Sequence, residues 1–214
     1  PIAVPFGIDK DFFSPKRRDE KLRAKLLADF GLPEDAHLMI AISRHHPEKR
    51  LGTIIDGFIK ASKKQPMGLM IFGDGPIRKY VDMKAGKSEH VKLMGFTENR
   101  DELANILASS DYFLHGSAAE TYGIVVAEAV CSGLPVVVPE RGGAADIANS
   151  ELGETYKPGD SVSFSEAVLN IVSRDRNELV EATTRSAEND IVTMEGHFKM
   201  LFETYQELLD TKGS

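Results

Sequence analysis

The sequence predicts an α/β fold in which helices cover both faces of a doubly wound, Rossmann-like parallel β-sheet. Short apolar runs alternate along the chain with longer helical patterns, and a glycine or a proline closes each run. The runs at residues 38–42 and 135–138 are apolar without polar alternation, which is typical of parallel strands buried on both faces. In such a sheet the ligand crevice lies at the carboxyl ends of the strands.

The elements follow in chain order from local start and stop signals. The first helix is predicted over residues 19–30, because Ser14 can cap it, Pro15 can open it and Gly31 can end it. Strands are predicted over residues 37–43, 67–73, 90–95, 111–116, 135–139 and 154–156. Further helices are predicted over residues 51–64, 76–85, 98–108, 122–131, 144–149 and 162–173, and two amphipathic helices between residues 177 and 209.

These elements predict a Rossmann-like domain over residues 1–176 and a helical extension over residues 177–214 that packs on the sheet or on another domain. A chain of 214 residues can bury one substantial core, so two full domains are not expected. The chain begins without Met and enters the core pattern within a few residues. We therefore expect it to be part of a longer protein.

Charge and cysteine content narrow the function classes. A formal net charge of −7 argues against broad nucleic-acid binding, which needs a clustered basic face. Cys131 is the only cysteine, which leaves no intrachain disulfide and favours a reducing compartment such as the cytoplasm. No apolar run reaches the roughly 18 residues that a transmembrane helix requires.

Residues 119–129 form the most informative motif, in which a strand leads through a loop into a helix. The free amides near Tyr122, Gly123 and Ile124 are expected to bind an anion, because helix amides and the helix dipole meet there. Glu120 and Glu128 stand eight residues apart on either side, a spacing suited to binding sugar hydroxyls. The alternative is that Glu120 is a loop residue and Glu128 a solvated helix residue. However, apolar neighbours predict that Glu128 is nearly buried and wants hydrogen-bonding partners.

A second cluster follows the first strand. Arg44 and Lys49 leave the carboxyl end of that strand five residues apart, so both cations can face the same crevice as the amides. Arginine offers a planar fork to phosphate oxygens and lysine a point charge, and together they can neutralise a diphosphate leaving group. The alternative is that both are surface charges. The motif with Glu120 and Glu128, which faces the same crevice, argues against that alternative.

Glycines recur at the other strand ends. Gly73 and Gly75 form a tight turn that faces the crevice and are expected to contact the ligand there. Gly142 with Gly143 serves either as a structural turn or as a ligand contact. No metal site is expected, because His45 and His46 lack a third ligand at a sensible spacing. The dinucleotide, Walker A and nucleophile-elbow motifs are absent, which argues against dehydrogenases, NTPases and serine hydrolases.

Taken together and in order, these motifs resemble the C-terminal half of a GT-B fold, as found in family 4 (group 1) glycosyltransferases. The resemblance covers roughly residues 4–173. Its segments are 7–9, 13–15, 44–51, 73–76, 91–96, 120–129, 133–137 and 142–143. The order and spacing of these segments carry the likeness rather than any one of them.

The resemblance implies a retaining transfer of a hexose from a nucleoside diphosphate sugar, such as a UDP- or GDP-hexose, to an acceptor hydroxyl without an obligatory metal. Arg44 and Lys49 would hold the diphosphate. Thr121 and the Tyr122–Ile124 amides would contact phosphate or sugar. Glu120 would orient the sugar, and Glu128 would bind the ribose hydroxyls.

The acceptor, a glycan or glycolipid, would bind an N-terminal domain that this chain lacks, so the isolated chain is expected to be inactive. The resemblance is also compatible with peripheral contact between the full-length protein and the inner face of a membrane. Ser43, Phe6 and Asp146 depart from the commonest family pattern, which bears on donor preference. Two alternatives remain, a non-catalytic nucleotide-sugar-binding module and a GT-B epimerase or phosphorylase relative.

Overall fold

A computed structural model describes residues 4–212 and contains one parallel sheet in the order β3-β2-β1-β4-β5-β6. The strands are β1 (His37–Ile42), β2 (Met67–Phe72), β3 (Val91–Gly95), β4 (Tyr112–Leu114), β5 (Val136–Pro139) and β6 (Gly153–Tyr156). The order reverses between β1 and β4, which creates the crevice typical of doubly wound sheets. The predicted fold class is confirmed.

Helices connect the strands and cover both faces of the sheet. They are α1 (Glu20–Asp29), α2 (Leu51–Ala61), α3 (Arg78–Ala85), α4 (Arg100–Ser109), α5 (Ile124–Cys131), α6 (Gly143–Ile147), α7 (Ser161–Ser173), α8 (Arg176–Asn189) and α9 (Met194–Lys212). None of the helices within residues 4–212 is long and apolar enough to span a bilayer.

Two apolar cores lie on opposite faces of the sheet, because consecutive residues of a strand point to opposite sides. On β1, Leu38 and Ile40 join the core beneath α1, α4 and α5. Met39 and Ala41 join the core beneath α2, α3 and α7. Every residue of β2 is buried, as the unbroken apolar pattern predicts.

The first helix begins differently from the prediction. Ser14 caps a separate 3₁₀ turn, Pro15–Arg17, by accepting a hydrogen bond from the Lys16 amide. Asp19 caps α1 instead, accepting from the amides of Lys21 and Leu22. The same sequence signals therefore open two short elements rather than one helix.

The two final helices differ in how they pack. α8 contributes Leu179 and Ala182 to the two cores. α9 leaves large apolar side chains exposed, among them Phe202 at 68% and Leu209 at 65% exposure. The amino-terminal segment meets the start of α9, because the Ile8 amide donates to the Val192 carbonyl at 2.9 Å. The amino-terminal segment and the start of α9 thus pack together beside the crevice, whereas much of the apolar surface of α9 stays exposed.

Candidate functional site

A cavity of about 910 Å³ opens at the carboxyl edge of the sheet, where loops after β1, β2, β3 and β4 meet the start of α5. This edge is the place that the strand order predicts for a ligand. Eight of the predicted site residues line the cavity: Arg44, Lys49, Gly73, Glu120, Thr121, Tyr122, Gly123 and Ile124. The structure therefore brings together two segments that lie about 70 residues apart in the sequence.

Two glycines let the strand ends approach closely enough to form this site. A Cβ atom on Gly73, whose φ is +123°, would lie 2.0 Å from the Ser43 carbonyl oxygen. A Cβ atom on Gly116 would lie 2.2 Å from the Lys49 carbonyl oxygen. Because any larger residue would force these loops apart, Gly73 helps to set the position of the backbone before Arg44, and Gly116 helps to set that of Lys49.

Glu120 is held from two sides. Its Oε1 atom accepts a hydrogen bond from Lys49 Nζ, and its Oε2 atom lies 3.3 Å from His115 Nε2. Burial favours the neutral acid, but His115 and Lys49 outweigh it and lower the pKa of Glu120 to about 2. Glu120 is therefore an anion at neutral pH, with an orientation fixed by its neighbours.

Arg44 supplies a second positive charge. Its side chain is exposed and makes no hydrogen bond or ion pair with residues 4–212, although it lines the cavity. An arginine without a protein partner beside a cavity can bind an anion without first breaking an ion pair. Arg44 and Lys49 thus give this side of the cavity a positive character.

The start of α5 adds backbone amides to the same wall. Gly123 caps the helix with a φ of +87°, a conformation that favours glycine. The first amides of an α-helix have no intrahelical acceptor, so those of α5 remain available to a ligand. Gly143 supports this loop, because its amide donates to the Glu120 carbonyl at 2.8 Å. A Cβ atom there would lie 2.5 Å from the Tyr122 amide nitrogen.

Glu128 and Gly75 do not line the cavity formed by this chain. Glu128 lies on α5, where it is partly rather than nearly fully buried, and its carboxylate has no hydrogen bond to residues 4–212. Burial raises the pKa of Glu128 to about 7, against a smaller opposing effect of Arg100. Gly75 packs instead against the loop after β1, with its Cβ position 2.6 Å from the His45 carbonyl oxygen.

Three further residues belong to this region, although the sequence did not place them among the candidate site residues. Phe6 and Phe96 line the cavity, and their side chains are 48% and 72% exposed. Phe6 also packs on Tyr122, with ring centroids 5.8 Å apart. His115, the third, contacts Glu120. The sequence offered two signals for them: Phe96 directly follows β3 and His115 directly follows β4, so both stand at strand ends that face the crevice. Among residues 4–212, no three His, Cys, Asp or Glu side chains gather as a potential metal centre.

Comparison with known proteins places this geometry in a family. A model of the glycosyl transferases group 1 family matches residues 23–190. The chain is 33% identical over 158 residues to a sulfoquinovosyl transferase of Arabidopsis thaliana, covering 72% of this chain and 29% of that protein. It is 28% identical over 188 residues to a GDP-mannose-dependent alpha-(1-6)-phosphatidylinositol dimannoside mannosyltransferase of Mycobacterium tuberculosis, covering 87% and 48%.

Solved structures agree on the fold. A glycosyltransferase from Rickettsia africae superposes with a TM-score of 0.80 at 16% identity, covering 97% of this chain and 57% of that one. The chain spans less than half the length of the two curated relatives. The match to the family model covers most of the chain and includes both loops that carry Arg44, Lys49 and Glu120. The chain therefore belongs to the glycosyl transferases group 1 family.

Proposed function

We propose that this chain is the donor-binding half of a retaining glycosyltransferase, which transfers a hexose from a nucleoside diphosphate sugar to an acceptor hydroxyl. One observation carries the proposal. Arg44, Lys49 and the first amides of α5 converge on one cavity beside the ionised carboxylate of Glu120. Cations and helix amides suit a diphosphate, and a carboxylate suits sugar hydroxyls.

In the proposed complex the diphosphate lies between Arg44 and the start of α5. Lys49 pairs with Glu120 in the free chain and turns part of its charge toward the phosphate when the donor binds. When the bond between the anomeric carbon and the diphosphate breaks, its electron pair goes to the diphosphate oxygen. Arg44, Lys49 and the α5 amides stabilise that charge, the role that a metal ion has in other transferases.

Glu120 accepts hydrogen bonds from the donor sugar and holds it beside the reacting carbon. The acceptor hydroxyl forms a bond to that carbon, its proton passes to an oxygen of the departing diphosphate, and the configuration at the carbon is retained. Glu128 reaches the ribose hydroxyls in this proposal. The acceptor is a glycan or glycolipid bound by a domain outside this chain, as the lengths of the curated relatives support.

Isothermal titration calorimetry with UDP, GDP and their hexose conjugates tests donor binding. Arg44→Ala should weaken binding of the preferred nucleotide at least about tenfold, because it removes a charge-assisted contact to phosphate. Arg185→Ala is the matched control, since Arg185 is an exposed arginine on α8 that pairs with Glu151 far from the cavity residues in sequence. Equal affinity of Arg44→Ala and Arg185→Ala would contradict the site.

The transfer step requires the full-length protein. Nuclear magnetic resonance of the product should show the donor's anomeric configuration, and EDTA should leave the initial rate unchanged. An inverted product would refute the retaining mechanism, and loss of activity with EDTA would refute metal independence. Nucleotide binding without any transfer by the full-length protein would favour a non-catalytic binding module.

A further inference from the structure

His115 occupies a constrained position at the carboxyl end of β4. Its amide donates to the Val137 carbonyl at 2.9 Å, and its own carbonyl accepts a hydrogen bond from the Tyr156 hydroxyl at 2.9 Å. Its ring is stacked near that of Phe113, with centroids 6.4 Å apart and planes 17° apart. Only 2% of the side chain is exposed. Backbone and ring contacts together therefore fix where its imidazole points.

The imidazole points at Glu120. Its buried Nε2 atom lies 3.3 Å from Glu120 Oε2, outside the alignment of a hydrogen bond, and has no hydrogen-bond partner among residues 4–212. A buried polar nitrogen without a partner is costly, so this atom depends on the carboxylate. Within residues 4–212, His115 contacts the titratable side chain of Glu120 through its ring and that of Tyr156 through its backbone carbonyl.

We propose that His115 is the positioning residue of Glu120, donating from Nε2 so that the carboxylate stays oriented toward the donor sugar. This inference rests on the function proposed above and adds a residue to which neither the sequence motifs nor the family comparison gave a role. His115 acts through Glu120 and does not line the cavity.

The contact matters most when a donor is bound. In the free chain Glu120 has two neighbours, Lys49 at Oε1 and His115 at Oε2. Lys49 lines the cavity and is attracted by a diphosphate, whereas His115 is buried and remains in place. Once Lys49 shares its charge with the diphosphate, His115 is the neighbour that continues to hold the carboxylate.

Two variants with neutral amide side chains, His115→Gln and His115→Asn, distinguish the effect of a hydrogen bond to Glu120 from the effect of side-chain volume. The side-chain nitrogen of His115→Gln can reach the position of Nε2, whereas that of His115→Asn reaches only the position of Nδ1. Carbon-detected NMR titration of labelled glutamate in this chain, without any donor, should show Glu120 titrating about one unit higher in His115→Asn than in His115→Gln. Equal Glu120 pKa values in the two variants would overturn the contact. If His115→Asn fails to unfold cooperatively, His115→Leu takes its place in the same comparison.

Turnover is then measured on the full-length protein. His115→Asn should lower kcat about tenfold to a hundredfold while changing the KM for donor by less than about threefold, and His115→Gln should recover most of the loss. Equal losses in both variants would show a purely structural role and overturn the proposal. Because the NMR titration needs no donor, a failure of the proposed function appears as absent nucleotide binding or transfer with the Glu120 shift intact.

Discussion

The surroundings of Glu128 in the folded chain disfavour its ionised form. Its pKa of about 7 lies above the ordinary value of 4.5, because burial penalises the charged form and Arg100 offsets only part of that penalty. The folded state therefore binds the proton more tightly than the unfolded state does. The resulting loss of stability is absent below about pH 4.5, grows as pH rises and is complete above about pH 7.

Glu128→Gln should accordingly stabilise the chain at alkaline pH. We expect its free energy of unfolding to rise on the order of 2 kcal/mol at pH 8 and to stay unchanged near pH 4, measured by urea denaturation. Glu181→Gln, at an exposed position on α8, is the control and should change stability at neither pH. A gain for Glu128→Gln that is the same at both pH values would contradict a pKa effect.

For single residues, the sequence predicts which charged side chains face the crevice more readily than it predicts which side chains contact one another. Arg44, Lys49 and Glu120 could be predicted because each follows a strand whose carboxyl end must face the crevice. The contact of His115 with Glu120 could not, because it depends on a ring orientation that Phe113 and the neighbouring strands constrain. Glu128 was expected to be nearly buried from its apolar neighbours, but periodicity does not show how much of a helix face a neighbouring element covers.

Asp111 joins several elements at the amino edge of the sheet. Its carboxylate accepts from the Leu38 amide of β1 at 2.9 Å and pairs with Arg23 of α1 at 2.7 Å and Arg176 of α8 at 3.1 Å. Arg18, just before α1, adds a contact at 3.2 Å. Burial favours the neutral acid, but Arg23, Arg176 and the Leu38 amide outweigh it and lower the pKa of Asp111.

Removing this carboxylate should loosen two helices at once. Asp111→Asn removes a buried carboxylate and leaves the partly buried Arg23 and Arg176 without this counterion, so we expect a loss of about 3 kcal/mol in the free energy of unfolding at pH 7. Because the pKa of Asp111 is lowered in the folded state, its contribution should disappear as pH falls below about 4. Chemical denaturation of Asp111→Asn and of Asp101→Asn, whose side chain is 72% exposed, makes the comparison. A similar small loss in both would contradict this account.

Elements could be predicted in kind and order, but their ends depend on contacts. β4 was predicted over residues 111–116 and spans Tyr112–Leu114. Asp111 is engaged by arginines at one end, and Gly116 packs against the Lys49 backbone at the other. Likewise Ser14 and Asp19 are both good caps, and only the structure shows that each opens its own element. Local propensity thus locates an element, while tertiary contacts decide where it stops.

At the scale of the whole molecule, α9 should contribute little to the stability of this chain. Phe202 and Leu209 are mostly exposed, so Phe202→Ser with Leu209→Ser should change Tm by less than about 3 °C. The same double variant should bind less of a fluorescent dye that reports exposed apolar surface. Leu134→Ser, at a fully buried position, should instead lower Tm strongly. A large drop in Tm for the α9 variant would mean that this helix packs in solution.

The two edges of the sheet hold different groups of residues, and the distance between them affects how the sequence of such a protein can diverge. The ion network around Asp111 lies at the amino edge, whereas the loops around Glu120 and Arg44 lie at the carboxyl edge. A six-residue strand such as β1 separates them by about 20 Å. Substitutions that far apart tend to act additively on stability. Substitutions in the loops at the carboxyl edge can therefore accumulate while the opposite edge keeps the domain folded, which makes this architecture well suited to evolutionary diversification.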